Sequence, residues 1–517
     1  MTDTVGFWKL AQEQPDRLAI AEADGREVTY GELLGTANQL VHGLRALGLE
    51  AGDGIATVLP NTSEMFALYF ASMQAGWYLT PINHHLVGAE IAYIVDDCEA
   101  AALVSHEQIA AECGAAAAEI GLGEDRCFAI GEVPGHRPFT DLTDGQPTTL
   151  PDDRVAGAPM HYTSGTTGRP KGVRRPLGGG DPDAAAARGG FLLGLFGIEP
   201  FGDGVHLCGS PLYHTAVLAY STASLHAGHP VVLMDKWSPE ATLDLIERYR
   251  VTHSHMVPTQ FHRLLALPEE TRARYDVSSL RTMIHAAAPC PVDVKRRMLE
   301  WWGPVVYEYY AATEGGGTLV TPEQWLERPG TVGLPWPTSE IRILDDDDAD
   351  VPAGEVGTVF MKLGQGKFEY FKDKDKTDSN RRAGFFTVGD IGYLDDEGYL
   401  FLCDRKSDMI ISGGVNIYPA EIEGELLSHP WVADAAVFGI PDDDWGEAIK
   451  AVIEPAADAT PGAELATALL DHCRSRLAKF KLPRSIDFVT EMPRDPNGKL
   501  YKRKLRDPYW EDRELAI

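Results

Sequence analysis

At 517 residues the chain is longer than one ordinary domain of roughly 100–200 residues. Its 44% hydrophobic and 24% charged residues are the mix of a globular chain with a sizeable core, which excludes wholesale disorder, collagen and coiled coil. The formal charge of −31 repels nucleic-acid phosphates and anionic lipid, so neither is expected as a partner, and an anionic substrate needs a locally basic site. No run approaches the ~18–20 apolar residues of a membrane span. The opening MTDTVGFWKLAQEQPDR lacks a basic stretch followed by a long apolar one, so no signal peptide is expected and the chain reads as cytoplasmic. Seven cysteines (98, 113, 127, 208, 290, 403 and 473) form no CxxC pair, as expected of reduced thiols in a core.

In chain order, residues 29–47 carry Leu33, Leu34, Ala37, Leu40, Val41, Leu44 and Leu47 at helical spacing, with Gly48 as the stop. A short strand is predicted at 55–59 and a helix at 63–75, capped by Gly76. Strand, helix, strand in this order implies a parallel sheet. The rhythm returns with strand candidates at 205–209, 230–234 and 251–257. Residues 178–190 (GGGDPDAAAARGG) read as a mobile loop. From Ile341 two hairpins follow, the first with the acidic tip DDDDAD, read as a solvated turn, and then a smaller α+β unit over 408–517. There is no internal repeat.

The most informative segment is Tyr162-Thr163-Ser164-Gly165-Thr166-Thr167-Gly168-Arg169-Pro170-Lys171-Gly172. Glycines let a backbone approach an anion and aim successive N–H groups at it, hydroxyls add short donors, and Lys171 adds a point charge. This suits a polyphosphate. It is not a Walker A loop, which requires GxxxxGK[ST]; here Pro170 precedes the lysine and Gly172 follows it.

The segment resembles the signature loop of the adenylate-forming superfamily: acyl-CoA synthetases, adenylation domains of peptide synthetases, and beetle luciferases. Five further segments match in order. Pro211-Leu212-Tyr213-His214 resembles the aromatic–His element beside the acyl pocket, and Tyr310-Ala311-Ala312-Thr313-Glu314 the Tyr-Gly-x-Thr-Glu element. Thr387-Val388-Gly389-Asp390 resembles the Thr-Gly-Asp element. Asp404-Arg405-Lys406-Ser407-Asp408 with Ser412-Gly413-Gly414 resembles the hinge region, and Pro493 to Lys499 the C-terminal lysine motif. The chain is most like a fatty-acid or aryl/steroid-carboxylate CoA ligase.

The resemblance implies an α/β fold. A large N-terminal domain (1–404) would hold parallel-sheet αβ subdomains and a β-rich subdomain, followed by a hinge at 405–407 and a small mobile α+β domain over 408–517. It also implies a reaction. A carboxylate attacks the α-phosphorus of ATP, giving acyl-adenylate and pyrophosphate; the thiol of coenzyme A then displaces AMP. By resemblance Thr163, Ser164, Gly165, Thr166, Thr167, Gly168 and Lys171 hold the β- and γ-phosphates. Thr313 donates to the α-phosphate, Glu314 ligates Mg²⁺, and Asp390 accepts from the ribose hydroxyls. Tyr310 and Arg405 are implied at the nucleotide as well. Lys499 bridges carboxylate and α-phosphate; Ser407 is the pivot; Gly413 and Gly414 line the thiol tunnel. Relatives carry Gly before the x-Thr-Glu, where Ala311 stands here, and the adenine segment, commonly Gly-Gly/Ala-Ala-Pro, reads Ala286-Ala287-Ala288-Pro289.

His214 is expected at the acyl pocket, beside the small apolar run Thr215 to Ala219, and no Asp or Lys marks an amino-acid substrate. The expected partner is a small carboxylic acid with an apolar body: aliphatic, aromatic or polycyclic. No integral membrane association is expected, and the chain reads as a monomer or homodimer. His253 and His255 share one face of a strand and read as packing. Residues 474–506 hold eleven basic and three acidic side chains, a candidate landing zone for ATP or the coenzyme A nucleotide. Alternatives in the same fold are transfer to a carrier-protein thiol and luciferase-like oxidation; a nucleotide-binding regulator is disfavoured by the intact Lys171, Glu314, Asp390 and Lys499.

Overall fold

The computed structural model describes residues 5–163, 170–313, 315–364, 368–494 and 498–511. Ser164, Gly165, Thr166, Thr167, Gly168 and Glu314 therefore lie outside the described residues. The chain divides into two compact units: Met1–His255 with Arg274–Thr282 and Lys367–Ser379, and Met256–Ala273 with Met283–Gly366 and Asn380–Ile517.

The first unit is built on the predicted alternation. Helix Tyr30–Ala46 starts at a reciprocal cap: Glu32 N donates to Thr29 Oγ1, and Thr29 N to the Glu32 carboxylate at 2.9 Å. Its apolar stripe from Leu33 to Leu44 is buried. Helix Ser63–Ala75 ends where Gly76 turns left-handed (φ 76°). These helices flank a parallel sheet ordered Arg137–Pro138, Cys127–Ile130, Ala100–His106, Gly54–Val58, Tyr78–Pro81, Ala158–Pro159. A second sheet joins Leu18–Ala21, Val231–Leu233, His206–Cys208 and His253–Met256 in parallel. The expected strands at 205–209, 230–234 and 251–257 are thus present in shortened form.

One expectation fails. Residues 178–190 are not a loop throughout: a helix runs Pro182–Gly194. Asp181 caps it by accepting from Asp183 N at 2.7 Å, Pro182 suits the first helical position, and the alanines that follow have the highest helix propensity.

In the second unit both hairpins form, pairing Ser339–Leu344 with Gly357–Leu363 and Asp390–Leu394 with Leu400–Arg405. The acidic tip, residues 345–350, is exposed as expected. In the tail segment, strands Val432–Asp442 and Gly446–Pro455 pair antiparallel, and Ser485–Phe488 adds in parallel. Helices Pro419–Leu427 and Ala463–Arg474 close a core of Ile410, Ile422, Leu426, Val437, Leu469 and Cys473. Among the described residues no helix is long and apolar enough to cross a membrane. All seven cysteines are unpaired, five of them buried.

The first unit buries a set of histidines. His253 lies 5.0 Å from His206 and 5.2 Å from His229, ring to ring, and is within hydrogen-bonding distance of Ser224 Oγ and Thr252 Oγ1. His226 accepts from Phe7 N. Burial pushes His206 down to about 3 and His226 and His229 to about 4, with His253 well below its ordinary value. An unfolded chain takes up these protons near pH 6.5 while the folded chain refuses them, so stability present above pH ~6.5 is lost as pH falls toward about 4. Urea unfolding should therefore show a lower midpoint at pH 5 than at pH 7.5, each such histidine contributing up to ~1.4 kcal/mol per pH unit in that window.

Candidate functional site

In the first unit the expected phosphate loop is flanked by two strands. His161–Thr163 and Lys171–Arg174 pair antiparallel with Thr163 opposite Lys171, so the residues bounding the loop are direct neighbours. Gly172 packs closely there: a Cβ would stand 2.4 Å from the flexible Met160 Cε and 3.1 Å from the Tyr162 ring. Arg174 lies 4.2 Å from the Tyr78 ring centroid and 4.6 Å from that of Phe371. Lys171 Nζ is 3.3 Å from Asp373, so its charge is matched when no anion competes. Nearby, the Pro211–His214 segment is pinned by Asn61, which accepts from Leu212 N and donates to the Ser210 and Met234 carbonyls. Asn61 was missed in the sequence, where an asparagine beside a proline signals only a turn. His214 is half-buried and precedes helix Thr215–His226. The ring of Tyr220 from that helix stacks on His255 at 5.1 Å, and Phe196 meets Tyr220 edge-on. His161 and His255 are both pushed down to about 3, mainly by burial, with His214 adding like-charge repulsion. Both are neutral at physiological pH. His253 and His255 are packing residues, and among the described residues no group of three or more His, Cys, Asp or Glu side chains could hold a metal.

In the second unit strand register assembles the residues expected at the ribose. Asp390 opens one strand, Arg405 ends the next, and the two are direct partners. Tyr310 OH donates to Asp390 Oδ2 at 2.6 Å, and Arg405 Nε lies 3.4 Å from Oδ1. A carboxylate offers about four acceptor positions, so Asp390 keeps capacity for further donors. Tyr310 stands near the end of strand Val306–Ala311, and Thr313, two residues beyond the strand, is half-buried.

The expected adenine segment, Ala286-Ala287-Ala288-Pro289, leaves the C-terminal end of strand Thr282–His285, where parallel sheets present ligand sites. Ala287 sits at φ 73°, a left-handed conformation that favours glycine. Behind the segment lies a cluster that sequence reading missed. Lys295 Nζ donates to Glu308 Oε2 at 2.6 Å, His285 Nε2 is 3.5 Å from the same oxygen, and Lys295 is fully buried over the Trp325 ring. Burial pushes the Glu308 carboxyl up, while the Lys295 ammonium opposes the shift. A signal existed: Lys295 falls on the stripe Val294, Met298, Leu299 and Trp302, all buried.

Toward the tail, Ser407 is exposed and its carbonyl accepts from Arg506 at 3.4 Å. Gly413 and Gly414, both with positive φ, form the two-residue turn between Ile410–Ser412 and Val415–Ile417. That turn favours residues that accept positive φ, glycine above all, and a Cβ at Gly413 would stand 2.5 Å from the Trp445 ring. Lys499 is half-buried beside the buried Gly498. Arg494 binds Asp434 and donates to the Gly498 carbonyl. The basic stretch is largely neutralised: of its eleven cations, Arg474, Arg476, Lys481, Arg484, Arg494, Lys502 and Arg506 are ion-paired to nearby carboxylates. A broad landing field is therefore weaker than the sequence implies.

The strain at Ala287 makes a prediction. Ala287→Gly removes a left-handed Cβ and should raise unfolding stability by about 1 kcal/mol, read as a higher denaturant midpoint at unchanged slope.

Residues 7–368 match the family model for AMP-binding enzymes, and residues 421–499 match that for the AMP-binding enzyme C-terminal domain. A feruloyl-CoA synthase of Amycolatopsis sp is 34% identical over 97% of this chain and 98% of its own. A fatty acid–[acyl-carrier-protein] ligase of Streptomyces coeruleorubidus is 32% identical over 97% and 95%. Among solved structures, o-succinylbenzoate CoA synthetase from Bacillus subtilis, in complex with its acyl-adenylate intermediate, superposes with a TM-score of 0.80 at 28% identity, covering 100% of both chains.

Proposed function

Because the chain belongs to the AMP-binding enzyme family, as an ATP-dependent, AMP-forming acid–thiol ligase, we propose that its acid is aromatic or aryl-substituted and that the residues above divide the work as follows. Asp390, held between Tyr310 and Arg405, takes the ribose hydroxyls; this constellation is the observation that carries the assignment. Ala286 to Pro289 border the adenine. The loop from Thr163 to Lys171 takes the β- and γ-phosphates, Lys171 exchanging Asp373 for phosphate oxygen, and Thr313 donates to the α-phosphate. A Mg²⁺ ligated by Glu314, which is outside the described residues, would neutralise phosphate charge.

Lys499 bridges the acid's carboxylate and an α-phosphate oxygen. A carboxylate oxygen attacks the α-phosphorus, the bond to the β-phosphate oxygen breaks, and pyrophosphate leaves. The coenzyme A thiol, losing its proton, then attacks the acyl carbon and AMP departs. Lys499 has no part in that second step. We place the lid at 408–517, pivoting at 405–407 about Ser407 after the core at 1–404, with Gly413 and Gly414 bordering the thiol's path in a cytoplasmic enzyme whose cysteines stay unpaired. The aromatic reading is supported by the Phe196–Tyr220–His255 ring cluster behind His214, by the neutral state of His161 and His255, and by the feruloyl-CoA synthase likeness.

A panel of cinnamic, arylacetic, benzoic and medium-chain fatty acids, assayed for AMP release with coenzyme A, with an acyl carrier protein and with neither, tests this. Aryl acids should lead, with turnover dependent on coenzyme A. A preference for fatty acids and a carrier protein would point instead to the chemistry named for the Streptomyces coeruleorubidus relative. Lys499→Ala should slow pyrophosphate release by on the order of 10²–10³-fold, as loss of a preorganised charge donor does; an unchanged rate would sink its assigned role.

A further inference from the structure

Lys499 is a long side chain that must meet two oxygens at once, so the backbone beneath it has to be fixed to a fraction of an ångström. Backbone pairing fixes the base of its loop, where Arg494 and Leu500 form an antiparallel bridge and Tyr501 N donates to the Pro493 carbonyl at 2.8 Å. Among the described residues, the Arg494 side chain reaches across the loop. The Arg494 guanidinium grips both oxygens of Asp434, through Nε and through Nη2 at 2.7 Å, and turns Nη1 onto the Gly498 carbonyl at 2.6 Å. Asp434 stands at the start of strand Val432–Asp442 and also accepts from Ala435 N, so the far end of the grip is fixed in the sheet. His262, Glu454 and Arg494 are the titratable and charged groups that bear on Asp434. The planar fork makes all three bonds at once; a lysine in its place supplies the charge without the geometry.

Resting on the role of Lys499 given above, we propose that Arg494 is a positioning residue for adenylation, tying the carbonyl immediately before Lys499 to the lid sheet through Asp434. Its charge is matched by Asp434, so its contribution is geometric, and it acts only in the step that uses Lys499.

The test separates the two half-reactions in the full-length enzyme. Pyrophosphate release with the best acid of the panel reports adenylation; single-turnover thioester formation from supplied acyl-adenylate and coenzyme A reports the second step. Arg494→Lys and Asp434→Asn should slow adenylation about 10- to 100-fold, chiefly in kcat, and leave thioester formation within about twofold. Arg494→Lys added to Lys499→Ala should cost nothing more, because a positioning residue has nothing left to position. Equal slowing of both steps, a loss that multiplies with that of Lys499→Ala, or a full adenylation rate in Arg494→Lys would each overturn the clamp. A full rate in Lys499→Ala would overturn the role of Lys499 itself and the clamp with it, an outcome distinct from the other three.

Discussion

Repulsion between a carboxylate and a triphosphate governs this protein. The reaction begins by pressing two anions together inside a chain of net charge −31, so cations at the reacting centre must be placed against an adverse background field. The structure shows how readily such a chain neutralises its own cations: Lys171 sits against Asp373, Lys502 against Glu423, and most of the basic tail against neighbouring carboxylates. A cation paired in this way would reach an anion only by exchange, as proposed for Lys171, or would serve as a strut, as proposed for Arg494. Placement of charge, rather than its amount, is what the fold contributes.

Strand register supplies much of that placement. Asp390 and Arg405 are fifteen positions apart in sequence yet face each other because a short hairpin pairs them, and Tyr310 reaches Asp390 from a strand of the same unit. A one-residue slip in that hairpin would send Asp390 to the opposite face. The buried Lys295–Glu308 pair lies on the far side of the same logic. Two charges out of water are tolerated because each satisfies the other at 2.6 Å, and they join helix Val292–Trp302 to the strand that carries Tyr310.

How much of this was legible in sequence depended on the range of the interaction. Caps and stripes are local, so Tyr30–Ala46 and Ser63–Ala75 were read with their ends nearly right. Pro182–Gly194 was misread because glycines before and within the segment masked a good start, Asp181-Pro182, followed by alanines. The site motifs were legible as words, and Asp390 with Arg405 and Tyr310 did assemble. What no local pattern revealed were pairings between distant segments: Lys171 with Asp373, Lys295 with Glu308, Arg494 with Asp434. Each is a charge whose partner depends on tertiary folding. Gly413 and Gly414 carry the opposite lesson, since a two-residue turn explains both without reference to a thiol.

The contacts of the Lys499 loop differ in what a rotating lid would do to them. Asp434, Arg494, Gly498 and the Arg494–Leu500 bridge all lie beyond Ser407, so a turn about that residue would carry their mutual contacts along, while that of Asp434 with His262 would change. The seat of Gly498 is different. At φ 80° it lies so close to Thr259 that a Cβ would stand 2.3 Å from the hydroxyl oxygen, and Thr259 precedes the pivot in sequence. On the proposed rotation the internal brace would persist and the external seat would break. If Lys499 serves as proposed above, the brace would let it return to the same geometry in every cycle, and a seat of close packing around a glycine would keep the barrier to leaving low.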